Sequence, residues 1–364
     1  MDAKAAVLEE FGAPLEVRRF PLVPLGAGEV RVRLRAAGVC GSDVHMWRGQ
    51  DPRTPLPLIL GHEGVGEVAE LRGRKADLFG RDLKEGDPVL WERGVMCGQC
   101  YWCLIKKQPA LCPQRKTYGI SFSCQDPPHL LGCYSEYLHL RAGQPMIRLE
   151  PDVRPEVLVA ATCSGATAAH AVETCGLGPG DFAVVIGPGP LGLFALALLL
   201  EAGAGEVWVA GTSADARRLQ TALELGAANA LNVSVMGASE IRQCLLDKTR
   251  GVGAGVIMDC TGHAPVVSEW IELVAPGGTY SIPGIATPQK EVSLDLFRAI
   301  ARKNVRLQGV WVSDISHLWR AACLVASGRY PFDRLVTHTF PLQEATRALE
   351  VTASKEAVKA VLLP

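Results

Sequence analysis

The feature that most constrains the fold is a glycine-rich loop, Gly187-Pro-Gly189-Pro190-Leu191-Gly192, between a five-residue apolar run and an apolar helical segment. Glycines at these places permit a tight turn, close approach of a pyrophosphate and close packing of helix on strand. Free amide groups at the start of the helix bind phosphate. The setting therefore predicts a dinucleotide site, with a Gly/Pro-rich surface turn as the plainer alternative.

Alternating strand-like and helical segments follow from about residue 179, which indicates an α/β fold with a doubly wound parallel sheet. The predicted strands are residues 182–186, 207–210, 255–259, 278–282 and 307–312, and the predicted helices are residues 191–202, 214–225 and 264–274. Before them, residues 7 to about 149 hold short strand-like runs separated by Gly and Pro, which predicts a β-rich domain. Residues 357–363 read as a closing strand.

The second strand of the α/β region ends without the carboxylate that would bind a ribose hydroxyl and select NAD. Gly211, Thr212 and Ser213 stand there instead, and their small size leaves room for a 2′-phosphate. Arg217 and Arg218 either contact such a phosphate or solvate a helix face. The sequence slightly favours NADP over NAD.

Four cysteines fall within sixteen residues, at Cys97, Cys100, Cys103 and Cys112. Thiolates at this spacing can close a tetrahedral shell around Zn²⁺ and leave no position for water or substrate. This pattern predicts a structural zinc site. The chain has twelve cysteines, but a disulfide framework is typical of small secreted proteins, so metal binding is the better interpretation.

A second group of potential ligands is scattered along the chain: Cys40, His62, Glu63 and Cys163. Two thiolates and one imidazole suit Zn²⁺ and would leave one coordination position open. Taken singly, each residue has a plainer interpretation, because a lone cysteine is usually a small buried apolar group. The spacing alone does not bring these residues together.

Composition excludes several classes of function. A net charge of -1 over 364 residues, without a basic run, argues against nucleic acid or an anionic membrane as a partner. The N-terminus lacks the apolar core of a signal peptide, and Pro and Gly interrupt the one long uncharged stretch, residues 182–200. We therefore expect a cytoplasmic protein without a membrane span.

Four motifs follow one another along the chain: Gly38-Val-Cys40-Gly-Ser42-Asp43-Val-His45, Gly61-His62-Glu63-Gly64, the four-cysteine lobe (about residues 92–115) and the glycine-rich loop. In this order they resemble, from end to end, the motifs of the zinc-containing medium-chain alcohol dehydrogenases. The resemblance implies a GroES-like catalytic domain (residues 1–163), a Rossmann coenzyme domain (164–309) and a return to the catalytic domain (310–364). It also implies two zinc ions per chain, reversible hydride transfer between a small alcohol and NAD or NADP, and a homodimer or homotetramer.

Roles for individual residues follow from the same resemblance. Cys40, His62 and Cys163 resemble the ligands of the catalytic zinc, and Glu63 resembles a carboxylate that binds the metal transiently. Asp43 resembles the group that orients the His62 ring.

Ser42 and His45 resemble the family's proton relay, and Lys359 resembles a basic residue near the cofactor phosphates. Trp91 either lines the substrate pocket or packs in the core. Residues 123–130 form an extra stretch that either shapes the pocket or is a surface loop.

Two alternatives to a simple alcohol dehydrogenase remain open. Polyol and threonine dehydrogenases of this family tend to have a carboxylate where Cys163 stands, which weakens that interpretation. A catalytically silent protein that binds zinc and a nucleotide belongs to a different class of function, and the relay pair Ser42 and His45 argues against it.

Overall fold

The computed structural model describes residues 1–150 and 154–364, which form two compact units. The first unit comprises Met1–Cys163, Asp314–Ser327 and Leu335–Pro364. The second comprises Ser164–Ser313 and Gly328–Arg334. The chain thus returns to the first unit at Asp314, four residues after position 310, where the sequence predicted the return.

The strands of the described residues run in chain order as follows: β1 (Asp2–Leu8), β2 (Glu16–Pro21), β3 (Val30–Val39), β4 (Leu58–Ile59), β5 (Gly64–Leu71), β6 (Pro88–Trp91), β7 (Gly94–Val95), β8 (Lys116–Thr117), β9 (Tyr137–Leu140), β10 (Met146–Arg148), β11 (Phe182–Ile186), β12 (Glu206–Gly211), β13 (Asn229–Asn232), β14 (Ala254–Asp259), β15 (Val274–Ile282), β16 (Arg306–Gly309), β17 (Val336–Pro341) and β18 (Lys359–Leu363).

The α-helices are α1 (Gly41–Trp47), α2 (Tyr101–Leu104), α3 (Pro155–Leu158), α4 (Ser164–Thr174), α5 (Pro190–Glu201), α6 (Ala216–Glu224), α7 (Ala238–Lys248), α8 (Pro265–Trp270), α9 (Ile315–Ala326) and α10 (Ala345–Ala353). Short 3₁₀ turns and a π-helical turn at Leu296–Ile300 complete the helical structure. Among the described residues, no helix has both the length and the apolar character needed to cross a membrane.

The first unit is built around β3, the longest strand. Its main sheet has the order β10-β6-β5-β3-β18-β17, and β9 also pairs with β3. β18 runs antiparallel to β3, with Val361 opposite Gly38, while Gly64 of β5 faces Ala37 on the other side. These registers bring the start of β5, the end of β3 and the start of β18 to one place, although they are far apart in sequence.

The second unit holds a six-stranded, all-parallel sheet in the order β13-β12-β11-β14-β15-β16. Its central strand β11 reads Phe-Ala-Val-Val-Ile and is buried over its last four residues, as expected of a strand covered on both faces. Helix α5 begins at Pro190, a favoured first helical position, and is almost entirely apolar. The long uncharged stretch of the sequence is therefore a buried strand, a turn and a buried helix.

The predicted fold class is confirmed, with differences at particular elements. β13 and α7, which lie between residues 226 and 254, were not predicted. β13 reads Asn-Ala-Leu-Asn at the sheet edge, and asparagine has a low strand propensity. The last strand of this sheet ends at Gly309 rather than at residue 312, and β15 begins four residues earlier than expected.

Two leucines on helices of the second unit give a test of its core. Leu196 on α5 is fully buried, whereas Leu223 on α6 is 42% exposed. We expect Leu196→Ala to lower the free energy of unfolding by about 2–5 kcal/mol, because it leaves a cavity. The matched change Leu223→Ala should cost less than about 1 kcal/mol. Urea unfolding followed by circular dichroism measures both, and equal losses would contradict this description of the core.

Candidate functional site

The ring of His62 is held from one side by Asp43. Nδ1 of His62 lies 3.1 Å from Oδ1 of Asp43 and donates to it, while Nε2 lies 3.3 Å from Sγ of Cys163. Oδ2 of Asp43 accepts hydrogen bonds from the Cys40 amide at 2.8 Å and from the Tyr134 hydroxyl at 3.2 Å. Asp43 is completely buried. The Nε2 atom is therefore the one that a metal ion would bind.

Local backbone structure makes this arrangement possible. Gly61, directly before His62, has a φ of 93° in the left-handed region that favours glycine. A Cβ there would also overlap the ring of Tyr134. Cys40 is the N-cap of α1, and Asp43 in the first turn closes a capping box by accepting from the Cys40 amide. The helix start thus fixes both Cys40 and the carboxylate that orients His62.

Cys40, His62, Glu63 and Cys163 converge in the first unit. One ligand atom from each lies within 4.8 Å of those from all the others. A hydrogen bond from Cys40 lowers the pKa of the Cys163 thiol, and the Arg93 guanidinium lowers it further. Burial opposes a positive charge on His62, but the Asp43 carboxylate outweighs it and raises the pKa of His62 to about 10. A metal ion bound here would displace the proton that Nε2 otherwise carries.

Glu63 forms a buried ion pair with Lys359, a contact that the sequence did not predict. The Nζ atom of Lys359 pairs with Oε2 of Glu63, and the Lys359 residue is only 1% exposed. Lys359 therefore lies in the first unit beside the cysteines, and its expected place near the cofactor phosphates stays a prediction. The approach is close because residue 38 is glycine: a Cβ at Gly38 would overlap the Glu63 carboxylate.

The donor set fits a zinc ion. Two sulfurs and an imidazole nitrogen with an oriented ring are ligands that Zn²⁺ prefers. Glu63 is the fourth donor of the cluster, but its charge is already matched by Lys359. Its Oε1 atom is buried and has no hydrogen-bond partner among the described residues. The cluster therefore offers a metal ion three ligands, Cys40, His62 and Cys163, and a fourth donor, the Glu63 carboxylate, close by.

The four lobe cysteines form a second convergent group, with ligand atoms again within 4.8 Å of one another. Sγ of Cys100 lies 3.6 Å from that of Cys103, and Sγ of Cys112 lies 3.5 Å from that of Cys97. All four are free thiols. A hydrogen bond from the Gln99 amide lowers the pKa of Cys97 to about 7, which favours the thiolate that binds metal.

Ser42 and His45 lie on α1, three residues apart and hence on neighbouring positions of one helix face. Oγ of Ser42 is 3.8 Å from Sγ of Cys40, and Nδ1 of His45 is 2.7 Å from Oε1 of Gln50. Ser42 thus lies beside the ligand cluster, while His45 is half-buried and hydrogen-bonded to an exposed side chain.

The glycine-rich loop of the second unit has the geometry that the sequence predicted. Gly187 has a φ of 91°, and Gly189 is the N-cap of α5. A Cβ at Gly192 would overlap the carbonyl oxygen of Gly187, so glycine is needed for the helix to pack against the loop. A Cβ at Gly189 would meet nothing within 4 Å, which leaves this point of the loop open to a ligand.

After β12 the nearest carboxylate, Asp215, is buried and turned inward. Its Oδ2 accepts from the Thr212 hydroxyl at 2.6 Å and from the Thr212 amide at 3.1 Å. Oδ1 pairs with Arg218 at 3.4 Å. Ser213 and Arg217 are exposed. Of the two arginines singled out from the sequence, Arg218 is therefore engaged with a carboxylate, and Arg217 is presented at the surface of this unit.

Trp91 and the extra stretch at residues 123–130 both pack within the first unit. Trp91 is 3% exposed and belongs to the hydrophobic core of the first unit, which favours the packing interpretation. The extra stretch at residues 123–130 is anchored to Pro57, whose carbonyl accepts from the Ser123 hydroxyl at 2.9 Å and the Cys124 amide at 3.0 Å.

Sequence reasoning missed a group of buried charges beside the ligand cluster: Glu92, Arg93 and Arg115. Arg93 is 6% exposed, and its guanidinium donates a hydrogen bond to the Cys163 sulfur. Burial opposes the charge on Arg93, but Cys163 and Glu92 outweigh it and raise the pKa of the guanidinium. Nothing in the sequence signals that Arg93, seventy residues away, lies against Cys163. Tyr134 was missed for the same reason.

Comparison with known proteins agrees with the fold. Residues 26–151 match the family model of the alcohol dehydrogenase GroES-like domain, and residues 190–326 match that of the zinc-binding dehydrogenases. The chain is 30% identical to 5-exo-hydroxycamphor dehydrogenase of Pseudomonas putida over 99% of this chain and 98% of the relative. It is 32% identical to an L-threonine 3-dehydrogenase of Cutibacterium acnes, over 96% and 95% respectively.

Solved structures give the same result. An alcohol dehydrogenase of Thermotoga maritima shares 42% identity and superposes with a TM-score of 0.97 over the full length of both chains. A candidate zinc-binding dehydrogenase of Sinorhizobium meliloti, solved with NADP, shares 26% identity at a TM-score of 0.86, again over the full length of both. The fold and these likenesses define a nicotinamide-linked oxidoreductase, and the chain belongs to the zinc-containing medium-chain dehydrogenase family.

The two cysteine groups predict a defined zinc content. We expect two zinc ions per chain in the native protein, and one after Cys103→Ser, because three sulfurs hold the lobe metal less firmly than four. Cys323→Ser is the control, since Cys323 is exposed and belongs to neither group. Elemental analysis of the folded variants measures the ratio. A Cys103→Ser protein that keeps two zinc ions would contradict the assignment of the lobe.

Proposed function

We propose that this protein is a zinc-dependent dehydrogenase that transfers hydride reversibly between a small primary or secondary alcohol and NAD(P). The observation that carries the proposal is the convergence of Cys40, His62 and Cys163 with an oriented imidazole. When bound, zinc supplies Lewis-acid polarisation of the alcohol hydroxyl, and the nicotinamide supplies the hydride acceptor.

The chain's own residues then have distinct tasks. Cys40, His62 and Cys163 hold the metal, and Asp43 fixes the His62 ring so that Nε2 faces it. Ser42, beside Cys40, would accept the proton of the alcohol hydroxyl while giving up its own, and the half-buried His45 on the same helix would deliver a proton to solvent. Lys359 pairs with the Glu63 carboxylate, which would be a further oxygen donor within reach of the metal.

The test compares the variant Cys40→Ser with a control variant at a cysteine outside both ligand groups. We expect it to lose one of two zinc ions and at least about 1000-fold in kcat/KM, since the metal stabilises the charge that develops on oxygen. The zinc that remains in the lobe reports that this part of the chain is folded.

Cys244→Ser is the control, because Cys244 belongs to neither group of potential ligands. A panel of alcohols with both cofactors supplies the assay. Full activity in Cys40→Ser would refute the assignment of the metal, and two zinc ions without turnover of any alcohol would favour the catalytically silent alternative.

For the cofactor we favour NADP. β12 ends at Gly211 and offers no carboxylate to the ribose, and Asp215 is committed to Thr212 and Arg218. A side chain at residue 211 would crowd Pro188, since its Cβ would lie 2.8 Å from Cγ. The exposed Ser213 and Arg217 suit a 2′-phosphate by hydrogen bond and charge.

This preference is testable with one arginine. We expect NADP to exceed NAD in kcat/KM and Arg217→Ala to lower the value for NADP by about 10-fold, because a charge-assisted hydrogen bond is lost. The value for NAD should change less than about twofold. Arg242→Ala, at a surface arginine of the same unit paired with Glu272, is the control. A native preference for NAD would overturn the proposal.

A further inference from the structure

The hydroxyl group of Tyr134 is not required by the packing of the core in which it lies. Tyr134 is completely buried and belongs to the hydrophobic core of the first unit, where a phenylalanine ring would fill the same space. Burying a hydroxyl costs free energy unless it is hydrogen-bonded. Here the hydroxyl donates to Oδ2 of Asp43 at 3.2 Å. The contact with Asp43, rather than packing, therefore accounts for the hydroxyl.

The same residue holds the segment of chain that leads into His62. The Tyr134 amide donates to the Leu60 carbonyl at 2.9 Å. The ring lies against Gly61, where an added Cβ would overlap it. Tyr134 thus contacts the chain directly before His62 with its backbone and ring, and contacts Asp43 with its hydroxyl.

The two hydrogen bonds to Oδ2 of Asp43 have different consequences. The Cys40 amide, which donates at 2.8 Å, is the N-cap of α1 and so belongs to the same helix start as Asp43. That bond fixes the carboxylate within α1 but not relative to His62. The Tyr134 hydroxyl comes from the residue that holds the segment before His62. It therefore fixes the carboxylate relative to the imidazole ring, 3.1 Å away.

We propose that Tyr134 is a positioning residue of the metal site: its hydroxyl holds the Asp43 carboxylate against the His62 ring, so that Nε2 keeps its direction toward the cysteines of the cluster. The inference rests on the proposed function, because it concerns the same metal ion. Removing a group that orients a ligating imidazole typically costs about 10- to 100-fold in metal affinity or activity. Tyr134 acts through Asp43, so we place its effect at the lower end of this range.

The second unit supplies a matched control. Tyr280 is also completely buried, and its hydroxyl donates at 3.2 Å to Oδ2 of Asp259, which is likewise completely buried. In the described part of the chain, neither residue belongs to a group of potential metal ligands. Tyr280→Phe therefore removes the same kind of hydrogen bond outside both cysteine groups.

The experiment measures the release of zinc from the holoenzyme into an excess of chelator. Release from the cluster should be about 10-fold faster in Tyr134→Phe than in the native protein, while release from the lobe changes by less than about twofold. Cys40→Ser, which is expected to hold zinc only in the lobe, identifies the lobe phase. Tyr280→Phe should release both ions at the native rate. Both tyrosine variants should lower the melting temperature similarly, because each loses one buried hydrogen bond.

Substitution of cobalt for zinc adds a readout that a loss of general stability would not change. The visible absorption bands of Co²⁺ depend on the geometry of its ligands. Tyr134→Phe should shift or broaden the bands of the cobalt bound at the cluster, because the His62 ring is less firmly oriented. Tyr280→Phe should leave these bands unchanged.

Three results would each overturn the inference: native rates of zinc release from the cluster in Tyr134→Phe, equally fast release in Tyr280→Phe, or cobalt bands that do not change in Tyr134→Phe. The second would mean that the hydrogen bond acts only through the stability of the fold. All three leave the dehydrogenase assignment standing, since the native protein would still hold two zinc ions. A native protein that holds zinc only in the lobe would instead refute the proposed function, and this inference with it.

Discussion

The Asp43 carboxylate joins three separate parts of the chain at the ligand cluster. One oxygen binds the His62 ring, and the other accepts from the Cys40 amide and the Tyr134 hydroxyl. A buried carboxylate is costly unless its lone pairs accept hydrogen bonds. Here the donors come from the start of α1 (Cys40), the segment before β5 (His62) and the segment before β9 (Tyr134). Because this charge must be satisfied, the positions of Cys40 and His62 depend on each other.

The Glu63–Lys359 pair imposes a similar dependence on the end of the chain. A buried ion pair contributes little net stability, but removing one partner leaves an isolated charge and is strongly destabilising. Lys359 opens β18, which pairs with β3 close to Gly38. The return of the chain to the first unit therefore supplies the positive charge that pairs with Glu63. Glycine is required at residue 38 because a Cβ there would overlap the Glu63 carboxylate.

Local patterns were enough to predict the α/β class, the glycine-rich loop and the four-cysteine lobe. The loop is encoded within six residues, and the lobe within sixteen. Contacts between residues that are brought together only by the pairing of distant strands have no corresponding short motif in the sequence. The contact of Lys359 with Glu63 was not predicted, because only the pairing of β18 with β3 brings the two residues together. Arg93 and Tyr134 were missed for the same reason, and β13 was missed because an edge strand rich in asparagine lacks an apolar pattern.

The four-cysteine lobe also bears on the charges beside the ligand cluster. Arg93 precedes Cys97 by four residues, and Arg115 follows Cys112 by three, with its amide bonded to the Cys112 carbonyl at 3.0 Å. Strands β7 and β8, at the two ends of the lobe, pair antiparallel. A metal ion that joins Cys97 to Cys112 would therefore fix the ends of the segment that carries both arginines. A structural zinc ion would therefore do more than stabilise a loop. By fixing the two ends of the lobe, it would also set the distance between Arg115 and Glu92 and the contact between Arg93 and Cys163.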